Sequence, residues 1–429
     1  MFGFANFLLL ALFAAAVFDL IFALARGGGL RGALHGPWNT PHLLFGQQLA
    51  EWRLQLGRIL FAAGLAAYEI SVVFCNSMAR QNWAWVQGVM SPVLEWLAFL
   101  CFGAKILFGT RYTWRELLAG GALYFIARWV YFNSQNIWWI GIVVAVLAAK
   151  DVPLRRPLQV YFASGCAAMA VVLALHFAGI VAPDLTSERM GALRGTYGYG
   201  HPNTFGGLVF GLVLAYALLR AQKVRWVDCL LVFAVGVFLL VGPASRSAAL
   251  CTLALAVGLV FCRLRAGHSV PRWGPGTCAG MVGLTAAVSY LLPLLVIKVG
   301  PWNNDIGPAW LAKLDSLLTC RISLTWMAYR LLDVKIAGQV FNWPTVDNSF
   351  AFALFQFGPV VAALLGILFA AALLGHAKQG RRVEVCCLFA MLAYAYMEVQ
   401  PFHLTTNPTA LLLCGAVFAQ TSARWQKIE

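Results

Sequence analysis

Apolar residues in this chain neither alternate nor recur in narrow stripes; they run on in blocks. Blocks near the ~20 residues a helix needs to cross a bilayer fall at roughly 2–25, 57–79, 89–109, 116–132, 137–149, 158–182, 202–219, 226–243, 247–262, 277–298, 347–375, 384–400 and 408–421. Backbone amides in lipid must find partners within their own segment, so each block is expected to be a helix, and the weaker alternation of a membrane barrel is absent. The pattern predicts an all-α, polytopic integral membrane protein with about 12–14 transmembrane helices. The blocks 116–132 and 137–149 are short enough to form a re-entrant hairpin instead. Residues 299–346 make the longest interruption and form a large loop with a helical periodicity of their own.

Composition agrees with the pattern. The chain has 429 residues, of which 61% are hydrophobic and 11% charged, too few polar groups to cover a soluble globule. A net charge of +15 alone would suit a nucleic-acid partner, but the basic residues sit in short loops. Alternation puts Arg26, Arg31, Arg53 and Arg58, then Lys105, Arg111 and Arg115, then Lys150, Arg155 and Arg156, and later clusters on one side. The positive-inside rule makes that side cytoplasmic, with the N-terminus outside and the C-terminus in the cytoplasm. The stretch before Arg26 lacks a basic leader and reads as a retained first span. Eleven cysteines are scattered without a CxxC pair and read as small core residues. No nucleotide-binding or metal-ligand spacing occurs, so neither a cofactor nor a metal is expected.

Unusual chemistry collects on the opposite, extracytoplasmic face. In 194–207, Arg194, Tyr197, Tyr199, His201 and Asn203 stand among glycines, and Pro202 suits the first turn of a helix. His201 is then either the cap of an ordinary helix start or part of an anion site at a helix N-terminus. Tyr197 and Tyr199 suit either stacking on a sugar or anchoring at the interface. Arg246 lies in a tight break between spans, where lipid headgroups or a substrate phosphate would pair with its guanidinium. Trp310, Leu314, Leu317, Leu318, Ile322, Trp326 and Tyr329 are spaced as one amphipathic helix, with Arg321 on it. Asp347 and Asn348 are a helix cap or a carboxylate that takes a proton from a hydroxyl. Glu398 and His403 flank a short outer turn at 401–407. Within the spans Asp19, Glu69, Glu95 and Arg128 are expensive in lipid, and Glu69 with Arg128 is one pairing that would relieve the cost.

Taken in order, "GYGHPNTFGG", "GPASRSAAL", "LDSLLTCRISLTWMAY", "VDNSFAFALFQFG" and "EVQPFHLTTNPTALLLC" resemble the motif series of bacterial repeat-unit polysaccharide polymerases of the Wzy type, within the O-antigen ligase and polymerase superfamily. The resemblance covers mainly 194–414; it divides the chain into an N-terminal helical region, 1–193, and a motif-bearing region, 194–429. It implies a GT-C-type, metal-independent glycosyltransferase in the bacterial cytoplasmic membrane. Both donor and acceptor would be undecaprenyl-diphosphate-linked oligosaccharides, with a flippase and a chain-length regulator of the same pathway as partners. It further implies that Arg246 and Arg321 hold the diphosphate and that Asp347, or else His201, activates the acceptor. Arg194, Tyr197, Tyr199, Asn203, Asn348, Glu398 and His403 would line the substrate. Asp347 departs from the ligase branch, whose motif opens with His at that place. A ligase acting on another acceptor, and a lipid-linked polysaccharide transporter, are the competing readings.

Overall fold

The computed structural model describes residues 51–181, 187–189, 192–265, 275–296 and 308–418. The expected first span at 2–25 and the orientation of both termini lie outside the described residues.

The described residues are helical almost throughout. Helix α1 (Glu51–Cys75) leads through a single turn (Ala79–Asn82) and a π turn (Val86–Met90) into α2 (Ser91–Phe108). Helices α3 (Trp114–Ser134), α4 (Ile137–Ala148) and α5 (Arg155–Phe177) follow. A two-stranded antiparallel ribbon, β1 (Ser187–Arg189) with β2 (Ala192–Arg194), precedes α6 (Pro202–Leu219), α7 (Trp226–Val241), α8 (Arg246–Leu264) and α9 (Pro275–Leu291). Then come α10 (Ala309–Leu317), α11 (Arg321–Leu331), α12 (Ser349–Phe352), α13 (Pro359–Lys378) and α14 (Arg382–Met397). A run of 3-10 turns, Pro408–Leu413, closes the described chain together with Cys414–Val417.

Among the described residues, 7 helices are long and apolar enough to cross a membrane, and three shorter apolar ones accompany them. Val227, Leu230, Val257 and Ile367 are 65–70% exposed, which water would penalise and lipid does not. The protein is thus a helical, membrane-embedded polytopic chain. One continuous core runs from Phe61 to Phe418, across the division expected near 193. In it α1 packs along α2 and α5, α8 along α7 and α14, and α9 along α13.

Local chemistry sets the helix starts. Thr113 and Glu116 form a reciprocal capping box on α3, with Thr113 N donating to Glu116 Oε2 at 2.8 Å. Asn136 caps α4 by accepting from Trp138 N at 2.9 Å. At α6, Pro202 takes the first position and His201 the cap, as the sequence predicts.

Four expectations are corrected. The block 347–375 is not one helix: it breaks at Gly358, whose φ is +88°. Pro359 supplies no amide and excludes a helical residue before it, while the backbone of 335–336 passes over Gly358 so closely that a side chain has no room. The amphipathic helix of the large loop is likewise two helices. Thr319 and Cys320 are both left-handed, and the buried Asp315 caps α11 from α10, accepting from Ile322 N at 2.7 Å and Ser323 N at 3.2 Å. Trp310 and Leu317, expected on the apolar face, are exposed, while Leu311 and Asp315 face inward. The turn at 401–407 is not an exposed loop, for all of it except His403 is buried among the helices. Finally Glu69 and Arg128 do not pair: Arg128 lies over the ring of Phe132 at 4.9 Å, and Glu69 is buried elsewhere.

Helix α4 spans 12 residues, about 18 Å at 1.5 Å per residue, well short of the ~30 Å hydrocarbon layer. Its stretch from Trp139 to Ala148 is wholly buried, so it is a core helix in the bundle.

The buried 403–407 segment lies directly on α6 at Gly211, where an added Cβ would stand 2.6 Å from Thr405 O and 2.9 Å from Thr406 Cα. Backbone cannot swing aside, so Gly211→Ala should destabilise the fold by ~1–3 kcal/mol. Thermal unfolding in a fixed detergent checks this, with Gly280→Ala, which meets nothing within 4 Å, melting like the parent.

Candidate functional site

The site is assembled where helices begin. Glycines let the pieces meet. A Cβ on Gly206 would fall 2.3 Å from Ser245 Oγ, and one on Gly207 would fall 1.7 Å from Gln400 Oε1. Without side chains there, the start of α8 and the segment after α14 both close onto the first turns of α6.

At the centre lies Glu398, the residue that ends α14, 5% exposed. Its Oε1 accepts from three side chains: Asn203 Nδ2 at 3.0 Å, Ser247 Oγ at 2.8 Å and Arg321 Nη2 at 2.5 Å. Asn203 is the second residue of α6, Ser247 the second of α8 and Arg321 the first of α11. Three helix N-termini, each the positive end of its helix, therefore face one carboxylate. That concentration of positive potential offsets the cost of placing Glu398 at the negative end of its own helix.

Arg321 is also buried, and each of its five N–H groups has an acceptor. Nε donates to Met397 O; Nη1 to Leu318 O at 2.8 Å and Thr319 Oγ1 at 3.2 Å; Nη2 to Glu398 and to Ser247 Oγ at 3.3 Å. The left-handed Thr319 and Cys320 turn Leu318 O and Thr319 Oγ1 back toward the guanidinium. As folded, Arg321 is wholly engaged within the protein, whereas the family resemblance implies that it holds a ligand diphosphate.

A second tier holds the first. Arg194 Nη2 donates to Asn203 Oδ1 at 3.0 Å and to Ala244 O at 3.1 Å, and Ala244 is left-handed at φ +49°. Gln400 Nε2 donates to Asn203 O at 3.2 Å and its Oε1 accepts from Tyr394 OH at 3.0 Å. Asn348 caps α12 by accepting from Phe350 N at 2.9 Å and Ala351 N at 3.0 Å, and its amide reaches Ser289 Oγ and Tyr396 O, each at 3.0 Å. Ser349 Oγ donates to Glu398 O at 2.5 Å. Helices α6, α8, α9, α11, α12 and α14 are thereby tied together through side chains.

Two expected residues stand beside this cluster with unengaged charge. Asp347 is half-buried, close enough for its charge to act on Glu398, and makes no hydrogen bond or ion pair with a described residue. Arg246, the first residue of α8, is exposed and likewise makes none. A carboxylate able to take a proton and a guanidinium able to take an anion thus flank a positive, internally neutralised centre.

No family model, curated protein or solved structure matches the chain.

The remaining expected residues sort differently. His201 caps α6, its Nδ1 accepting from Asn203 N at 3.1 Å, while its side chain is exposed. Tyr199 is fully buried, so its ring is not open to stack on a sugar, while Tyr197 is half-buried and packed on Phe205 (5.0 Å, 29°) and Phe238 (5.7 Å). His403 lies apart, its ring 4.0 Å from that of Trp138. Among the described residues no group of His, Cys, Asp and Glu side chains could hold a metal ion.

Sequence reasoning missed Ser247, Gln400 and Asp315. Ser247 and Gln400 are inside the quoted motifs, next to Arg246 and two residues after Glu398; their hydroxyl and amide become decisive only once α6, α8 and α14 meet.

Removing either partner of a buried ion pair leaves an uncompensated charge, so Arg321→Met or Glu398→Ala alone should cost ~3–5 kcal/mol. Combining Arg321→Met with Glu398→Met should cost less than the sum of the two single changes, and thermal unfolding of all four proteins measures that coupling.

Proposed function

We propose that the chain is a membrane glycosyltransferase of GT-C type that polymerises oligosaccharide units carried on undecaprenyl diphosphate, on the extracytoplasmic face of the bacterial cytoplasmic membrane. The observation that supports this reading is the convergence of the motif segments. Residues from Arg194 to Gln400 meet around Glu398 through direct hydrogen bonds, and Asp347 and Arg246 stand at its edge. A motif series whose members were unrelated would have no reason to meet at one point.

The chemistry follows from the groups on hand. An acceptor hydroxyl attacks the anomeric carbon of the donor's terminal sugar; the new C–O bond forms as the bond from that carbon to the diphosphate oxygen breaks. The hydroxyl proton passes to the carboxylate of Asp347, which makes no hydrogen bond or ion pair with another described residue. Negative charge grows on the departing diphosphate. Arg246 is free to meet it, and Arg321 can join by trading its bond to Glu398 for one to phosphate, so that positive groups already in place stabilise the leaving group. Attack opposite the diphosphate inverts the anomeric centre. The growing chain ends on the acceptor's lipid, and lipid diphosphate is released.

Reconstituted in liposomes with a synthetic lipid-diphosphate repeat unit, the protein should give a ladder of products. Asp347→Asn should lower the rate by ~10²–10⁴-fold, the usual contribution of a positioned general base, with Arg246→Ala also strongly reduced. Full activity in Asp347→Asn with none in His201→Ala would move the base to His201. Single units carried unchanged across the bilayer would make the chain a transporter, and transfer only to a different acceptor would make it a ligase.

A further inference from the structure

Glu69 lies six residues inside the end of α1, ~9 Å along the helix, and is 2% exposed. None of the ion pairs among the described residues includes it. Its Oε1 fills the space a side chain at Gly165 of α5 would take, 2.8 Å from the ideal Cβ position there, and its Oε2 is buried without a hydrogen-bond partner. An ionised carboxylate in that setting is untenable unless a positive charge joins it.

The surroundings offer oxygen atoms. Tyr161 is one turn before Gly165 on the same face of α5, and its hydroxyl donates to Thr405 O. Thr405, completely buried, carries a second unpartnered oxygen, Oγ1, and the hydroxyl of the completely buried Tyr199 is a third. Tyr68, Tyr161, Tyr199 and Cys166 all lie within electrostatic reach of the Glu69 carboxyl, and Leu212 of α6 packs against the same Gly165 position. Tyr199 comes from the turn before α6 and Thr405 from the irregular stretch packed on α6 at Gly211, and irregular backbone packed inside a helical membrane protein is the usual place for an ion to be held.

We propose that Glu69, with the hydroxyl oxygens of Tyr161, Tyr199 and Thr405, forms a binding site for a small monovalent cation of sodium size. The cation neutralises the carboxylate and joins α1, α5, the turn before α6 and the 403–407 segment at one point. One anionic and three neutral oxygens suit a singly charged ion; a divalent ion would call for further carboxylates. Since 399–407 also carries Gln400 toward Asn203, the cation braces the same segment that holds Glu398 in place.

Dicyclohexylcarbodiimide, which modifies protonated carboxyl groups in apolar settings, tests this on the purified full chain in detergent at mildly acidic pH. In choline chloride, peptide mass spectrometry should find Glu69 modified. Replacing choline with sodium at ten times its dissociation constant should reduce modification by about tenfold, by simple occupancy. Thr405→Ala and Tyr199→Phe, which keep the carboxyl, should stay modifiable and need more sodium for the same protection. Sodium should raise the melting temperature of the parent and not of Glu69→Gln. Equal modification in the two salts would mean a merely protonated or hydrated acid and would overturn the site. So would a complete lack of modification, or sodium protection unchanged in both hydroxyl variants.

Discussion

A buried ion pair stands where helices from separate parts of the chain meet. Arg321 and Glu398 lie on different helices, each nearly sealed from solvent, and neither is tolerable alone. The fold makes the pair acceptable by directing three helix N-termini at the carboxylate and five acceptors at the guanidinium. Asn203 and Ser247 must therefore stand at the second positions of their helices, and the chain before α11 must turn left-handed to supply Leu318 O and Thr319 Oγ1. The same positive basin that satisfies Glu398 would satisfy a phosphate, which is why a structural pair and a ligand site can occupy one place.

The approach of helices that this requires is obtained by leaving atoms out. Gly206 and Gly207 admit Ser245 and Gln400, Gly211 admits the Thr405 backbone, and Gly165 admits Glu69. Helices α5 and α6 are thus smooth on the faces where irregular backbone presses against them. In a bilayer such backbone cannot rely on water, so the 403–407 segment finds its partners inside: Asn407 donates to Pro401 O at 2.9 Å, Thr406 to His403 O at 3.1 Å, and Tyr161 to Thr405 O. Lipid in turn accepts the apolar side chains left on the outside of α7 and α8.

At the other extreme, buried Lys105 and Lys150 show the cost of a cation inside the bundle being met with local oxygens. Lys105 Nζ donates to Lys150 O, while Lys150 Nζ reaches Arg111 O at 2.5 Å and Asp151 Oδ2 at 3.1 Å and sits 3.5 Å from Glu116 Oε2. Buried Asp315 is met by the amides of Ile322 and Ser323 instead. Glu69 has no ion pair with a described residue and its Oε2 has no hydrogen-bond partner, which sets it apart from these.

Much was fixed by the order of residues. Runs of apolar residues determined that the chain is helical and lives in a membrane, because lipid offers the backbone no other partner, and the start of α6 at His201 and Pro202 was legible since a cap and a proline act within one turn. The quoted motifs already held most of the residues that now surround Glu398. Other features depend on contacts between distant segments. The break at Gly358, the division of α10 from α11, the burial of most of 401–407 and the burial of Tyr199 all depend on how distant stretches of backbone pack together. Arg321 could be singled out in the sequence, but that all of its donors are spent on Glu398, Ser247 and nearby carbonyls was settled by tertiary structure alone. Hydrogen bonds are short and directional, and residues more than a hundred positions apart acquire them only when the helices that carry them have packed.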